Sequence, residues 1–252
     1  MTDSIRYDTI ASHYDETRGG LVRGTGFARD FATVLGDVDG TVLDIGVGTA
    51  AVARPLRDLG YDVVGLDLSL PMLHRACERL GPAIVQGDAM RLPVREGAVA
   101  AATMSWLLQL VPDVAAVFAE CRRVLRPGGR IAVIVAQQIE SEPCDMTAIE
   151  RTIGIRLGLS PVDDRATEAL GAAESAGLRF VTEGRTEPQA FEQSPAQLVE
   201  HNRLRLFGGL VGLSDDDFDR LVEPALADLI ALPEPERPRR RVHAHPLLVF
   251  ER

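Results

Sequence analysis

The sequence predicts an α/β protein built on a doubly wound, mostly parallel sheet, and three observations carry that expectation. Short, nearly continuous apolar segments recur between residues 41 and 136. Helical stretches with their own start and stop signals lie between most of them, and three of the segments carry an aspartate at or near the end. A strand with no polar face is covered on both sides, as in a parallel sheet whose crossovers are helices.

The elements follow in order. TVLDIG (41–46) reads as the first strand, and Ala50–Leu59 as a helix stopped by Gly60. DVVGLDL (62–68) is the second strand. Ser69 then caps a helix with Pro71 in its first turn and Gly81 just past its end. AIVQGD (83–88) and VAAATMSW (99–106) are the third and fourth strands, and helix Val114–Val124 leads through RPGG to a fifth, GRIAVIVA (129–136).

Beyond residue 137 the rhythm changes. Ser160-Pro161 opens a helix over Asp163–Ala176, closed by Gly177, and LRFVTEGR (178–185) follows as a strand. Ser194-Pro195-Ala196-Gln197 is a capping box. A further helix starts after Ser214 and runs over Asp215–Ala231, and HAHPLLVFER (243–252) is a terminal strand. The expected organisation is an N-terminal helical lid (1–40), a core (41–136), and a C-terminal part (137–252) with a helical cap inserted at about 190–232.

Composition narrows the function classes. The net charge is −10, which opposes a nucleic-acid backbone. The short basic cluster Arg237–Arg241 reads as a solvated turn. Every basic side chain apart from histidine is arginine, which excludes a Schiff-base lysine and suggests a GC-rich bacterial genome. Cys77, Cys121 and Cys144 lie far apart with no CxxC pair, so no disulfide framework or cysteine metal site is expected; the first two read as small packing residues on helices. No apolar run nears the roughly 18 residues of a membrane span, and the polar, acidic N-terminus has no signal-peptide pattern. The expectation is a cytoplasmic protein, monomer or homodimer, with no metal.

Chemistry concentrates where the first strands end. Gly46 and Gly48 let the backbone turn tightly and approach a ligand closely. Asp67, 21 residues after Gly46, can accept both hydroxyl hydrogens of a ribose, and Asp88 can read an adenine edge or cap the turn after it. Gly46-x-Gly48-x-x-Ala51 formally satisfies the dinucleotide fingerprint. The same residues fit S-adenosylmethionine, which has an adenosine but no pyrophosphate. Asp44 separates the two: a carboxylate there repels a diphosphate and favours an ammonium group.

VLDIGVGTA, GLDLSLPML, QGDAMRLPV and VLRPGG resemble the successive motifs of class I S-adenosylmethionine-dependent methyltransferases, most closely the small-molecule branch of ubiquinone/menaquinone and natural-product enzymes. YDTIASHYDETRG is similar to that branch's N-terminal helix, which covers the cofactor. The likeness spans residues 7–136. It implies a Rossmann-like sheet of seven strands, with residues 243–252 inserted antiparallel beside a neighbour. It also implies S-adenosyl-L-methionine as cofactor, S-adenosyl-L-homocysteine as product, and a small-molecule acceptor methylated on O, N or C. The family loop is commonly D-x-G-x-G-x-G, and here the last glycine is Ala50; its methyl group is tolerated if residue 50 already begins the helix.

On this reading Asp44 faces the methionine ammonium, Asp67 the ribose and Asp88 the adenine, with Leu68, Met72 and Ala89 as adenine walls and Tyr14 at the methionine part. Met104, Ser105 and Trp106 leave the fourth strand near the sulfonium. Trp106 either stacks on a ligand or packs. Methyl transfer relies largely on alignment, and a general base is needed only for a neutral hydroxyl or an unactivated carbon acceptor; the candidates are His13, His201 and, as an alternative to its cofactor role, Tyr14. Arg203 and Arg205 are candidates for an acidic substrate, and His243 and His245, alternating on one face of the terminal strand, read as structural or surface residues. The acceptor is expected between the sheet's carboxyl edge and residues 137–232. Two other functions stand beside this one: an NAD(P)-dependent oxidoreductase, and a binding protein that keeps the fold without turnover.

Overall fold

The computed structural model describes residues 14–135, 139–140, 142–158, 165–205, 210 and 213–252. They fall into two compact units, one drawn from Met1–Gln137, Arg165–Glu187 and His245–Arg252, the other from Gln138–Asp164 and Pro188–Ala244.

The first unit opens with helices α1 (Tyr14–Arg18) and α2 (Gly20–Leu35). Strands β1 (Thr41–Ile45), β2 (Asp62–Asp67), β3 (Ile84–Gln86), β4 (Val99–Ser105) and β5 (Leu125–Ile134) follow, with helices α3 (Ala53–Asp58), α4 (Leu70–Leu80) and α5 (Val114–Val124) between them. After helix α6 (Thr147–Arg156) of the second unit, helix α7 (Arg165–Ser175) and strand β7 (Arg179–Arg185) return to this sheet, and β10 (Pro246–Glu251) completes it. The order is β3-β2-β1-β4-β5-β10-β7, seven strands. Only β10 is antiparallel to its neighbours, inserted between β5 and β7 as the family likeness implies.

Both faces are buried, and the two-residue period of the strands divides the side chains cleanly. Ile131, Val133, Leu248 and Phe250 point into one core layer with Val117, Phe118 and Cys121 of α5. Their neighbours Ala132, Ile134, Leu247 and Val249 point into the other, against Phe27, Phe31 and Leu35 of α2. Each large side chain so buried contributes roughly 1.5–3 kcal/mol, and this double coverage is why the strands read as continuous apolar runs. Ser69 and Gly81 cap α4 as expected: the Ser69 hydroxyl accepts from the Met72 N–H, and the Gly81 N–H closes onto the Cys77 carbonyl.

The second unit pairs β6 (Ile139–Glu140), β8 (Gln189–Gln193) and β9 (Arg239–Ala244) in an antiparallel sheet of order β6-β9-β8. Helices α6, α8 (Pro195–Arg203), α9 (Asp215–Leu221) and α10 (Glu223–Ile230) accompany it. Met146, Leu198, Phe218, Leu226 and Leu229 form its core. The Ser194–Gln197 capping box is present with both of its hydrogen bonds.

Several expectations need correction. The expected helix over 215–231 is broken at Val222, because Pro224 lacks the N–H that would carry the helix across. The segment between β7 and β10 carries strands β8 and β9 besides its helices. Residues 243–252 are not one strand: His243 closes β9, and the next strand starts at Pro246. Both histidines are buried, His243 against Phe191 and His245 in the first unit. Cys121 is a packing residue whose thiol is pushed up by burial, but Cys77 is exposed on α4. The basic run is tied down by acids: Arg237 pairs with Glu234, Arg239 with Asp145, Arg240 with Glu142 and Arg241 with Glu150. Among the described residues no helix is long and apolar enough to cross a membrane, and no cluster of three or more candidate metal ligands exists.

Candidate cofactor site

β1 lies between β2 and β4, where the strand order reverses, and the loops leaving these strands open a cleft at their carboxyl ends. The glycine loop is built around one carbonyl. The N–H groups of Gly46 and Val47 both donate to the Leu66 oxygen at 2.8 Å. Gly46 and Gly48 have φ of +75° and +53°, which an L side chain rarely adopts. A Cβ on Gly48 would meet nothing within 4 Å, so its missing side chain leaves open space beside the backbone.

Asp67, the last residue of β2, is held from both sides. Its Oδ2 accepts from the Gly48 N–H at 2.8 Å and its Oδ1 from the Ser69 N–H at 2.9 Å. Asp88 accepts from the Met90 N–H at 2.8 Å, so it caps its turn as well as lining the cleft. Tyr14, Gly46, Gly48, Leu68, Met72, Ala89 and Ser105 line the same cleft with the two aspartates. All the expected cofactor residues therefore meet there except two.

Those two lie behind it. Met104 is buried in the core. Asp44 is 2% exposed, and the Thr103 hydroxyl donates to its Oδ1 at 2.8 Å, the two residues standing opposite each other in the β1–β4 register. Burial pushes the Asp44 carboxyl up to about 7; the Thr103 bond opposes that rise and repulsion from Asp67 adds to it.

Ala50 departs from expectation. Its φ is +61°, and the helix begins only at Ala53. The position is a left-handed one, where glycine would sit without strain, so the alanine is accommodated at a conformational cost of roughly 1–2 kcal/mol.

Trp106 both lines the cleft and packs. Its ring meets Phe27 edge-on at 4.7 Å and His245 at 5.4 Å, and the Arg23 guanidinium lies 5.0 Å from it. Arg23 also hydrogen-bonds His245 Nε2 at 2.9 Å. His13 lies outside the described residues. His201 is on α8 of the second unit. Arg203 is paired with Glu223, and Arg205 with Asp215 while it lies over Phe218.

Sequence reasoning missed Leu107, Leu110 and Val111, which give the cleft an apolar wall. The signal was there: the apolar run continues past the end of β4, where nothing in the sheet remains to be covered. It also missed the Asp15–Thr49–Arg79 contacts, which no spacing announces.

Residues 43–133 match the methyltransferase domain family. The chain is 37% identical over 132 residues to the demethylmenaquinone methyltransferase of Renibacterium salmoninarum, and 38% identical over 131 residues to that of Beutenbergia cavernae. Over residues 43–133 the chain is therefore similar to a methyltransferase domain. Each match takes in 50% of this chain and 55% of the relative, so the chain spans about half the length of the relatives it matches. The chain also superposes on solved structures. A Bacillus halodurans protein assigned as a methyltransferase gives a TM-score of 0.58 at 17% identity, covering 89% of this chain and 97% of that one. The geranyl diphosphate C-methyltransferase of Streptomyces coelicolor gives 0.52 at 19%, covering 89% and 74%. At such identities the likeness shows the fold.

Proposed function

We propose that this protein transfers a methyl group from S-adenosylmethionine to a small acceptor. One observation carries the reading: among the described residues the cleft lining contains two carboxylates, Asp67 and Asp88, and no cationic side chain, with the buried Asp44 behind the loop. A diphosphate there would meet the two acids of the lining, whereas a ligand with ribose hydroxyls and cationic groups would be favoured. The residues fit the cofactor that the relatives' names and the bound neighbours suggest. The Streptomyces coelicolor enzyme was crystallised with S-adenosylhomocysteine.

Asp67 would hold the ribose, Asp88 and Ala89 the adenine edge, Leu68 and Met72 the adenine faces, and Tyr14 the methionine part. Ser105 and the Trp106 ring would flank the sulfonium. The bound cofactor supplies an activated methyl group; the chain's part is to align the acceptor and exclude water, which Trp106, Leu107, Leu110 and Val111 do with apolar surface. That wall favours an apolar acceptor, methylated on O, N or C. We place the protein in the cytoplasm, in keeping with its acidic composition.

Incubation with methyl-labelled S-adenosylmethionine and a bacterial small-molecule extract tests the reading. Label appearing in a low-molecular-weight product supports it. Tight cofactor binding with no labelled product from any extract favours the non-methylating alternative, for which Ala50 is the motivating departure.

A further inference from the structure

We propose that Asp15, Thr49 and Arg79 form a clasp that docks α1 on the glycine loop and sets how long the cofactor stays in the cleft; this rests on the cofactor reading above. The Thr49 hydroxyl donates to Asp15 Oδ1 at 2.6 Å. Arg79 Nη1 donates to the Thr49 carbonyl at 2.8 Å and to its hydroxyl at 3.0 Å, and Nη2 pairs with Asp15 Oδ2. The N-terminal helix, the loop after β1 and the last turn of α4 thus meet at one threonine. Thr49 is 1% exposed, and the Asp15 and Arg79 side chains are 22% and 21% exposed.

Position gives the clasp its role. Tyr14, next to Asp15, lines the cleft. Ala50, next to Thr49, holds the left-handed turn. The Arg79 bond to the Thr49 carbonyl fixes the peptide immediately before that turn, so one guanidinium holds both the loop and the helix. On its other side α1 joins α2 through Gly19 and Gly20, with φ of +79° and +45°. A Cβ on Gly20 would stand 3.3 Å from the Asp15 Cβ, tighter than ordinary contact. Two glycines give this joint little conformational preference of its own. The docked position of α1 therefore depends on the clasp. Asp15 and Arg79 are positioning residues, with no part in the methyl transfer itself.

Stopped-flow displacement of S-adenosylhomocysteine from the whole chain tests the clasp. Asp15→Asn, Arg79→Gln and Thr49→Val should each speed dissociation about tenfold with little change in association, as loss of a charge-assisted contact predicts. The Asp15→Asn/Arg79→Gln pair should be no faster than the faster single variant, because both remove the same contact. Thr49→Ser, which keeps the hydroxyl, should dissociate like the wild type. So should Arg165→Gln, which breaks an exposed pair with Glu168 on α7. A structural role alone would lower the melting temperature and the fraction of binding sites while leaving dissociation unchanged; that result overturns the clasp, as does an unchanged rate in all three single variants. Failure of the wild type itself to take up S-adenosylhomocysteine overturns the cofactor reading, and the clasp with it.

Discussion

The Gly48 N–H donates to Asp67 Oδ2 at 2.8 Å, so the glycine loop after β1 and the carboxylate closing β2 hold each other. An ionised carboxylate offers about four acceptor sites. The Gly48 and Ser69 N–H groups take two of them, and the carboxylate lines the cleft. Asp67→Ala should weaken S-adenosylmethionine binding by about 1–3 kcal/mol, the cost of leaving hydrogen-bonding groups unpartnered. Calorimetry measures this directly, and an unchanged affinity would mean the ribose is held elsewhere.

Asp44 predicts a pH dependence. Its folded-state value, about 7, lies above the ordinary carboxylate value of 3.8, so the folded protein holds that proton more tightly than the unfolded chain does. Its contribution to stability is greatest below the unfolded value and is lost as pH rises through about 7. Cofactor binding should run the other way, because an ammonium group favours the ionised form. Affinity should be about tenfold weaker at about pH 6 than at about pH 8. Asp44→Asn should flatten that profile, and a profile equally steep in the variant would remove Asp44 from the account.

Ala50 sets two opposing terms against each other. Replacing it with glycine relieves roughly 1–2 kcal/mol of left-handed strain but gives up a buried methyl group worth about 0.8 kcal/mol and adds chain entropy. Ala50→Gly should therefore change the unfolding free energy by no more than about 1 kcal/mol in either direction. Ala50→Val, β-branched at positive φ in a site with 0% exposure, should destabilise by several times that. Urea titration of the three proteins checks the order.

Asp30 is a buried acid with an unmet oxygen. Its Oδ1 accepts from the Glu187 N–H at 3.1 Å, while no donor among the described residues reaches Oδ2. Burial raises its carboxyl above the usual range, the Glu187 N–H opposes this, and the Glu187 charge adds to it. The folded value being raised, the cost appears as pH rises and is absent below the unfolded value. Asp30→Asn should stabilise the protein by about 1 kcal/mol near pH 8 and have little effect near pH 4. An equal gain at both pH values would contradict the assignment.

Much of the first unit was legible because its signals are local. Ser69, Pro71 and Gly81 mark the ends of α4 within a dozen residues, and helix Val114–Val124 has its predicted bounds. The antiparallel β10 followed from the family likeness rather than from its own pattern. What stayed hidden depends on distant partners or on a backbone angle. Arg79 meets Thr49 and Asp15 from 30 and 64 residues away, with no periodicity to connect them. Ala50 looks like a good helix former, yet the loop geometry imposes a left-handed turn. HAHPLLVFER reads as one strand because nothing in its apolarity records that His243 and Pro246 pair in different sheets.

The proposed function requires the cleft to prefer a cationic nucleoside cofactor to a dinucleotide. Calorimetry with S-adenosylmethionine, S-adenosylhomocysteine and NADH, side by side on the wild-type chain, tests it most directly. Both sulfur ligands should bind, and NADH should not. Tight binding of NADH alone would contradict the proposed function.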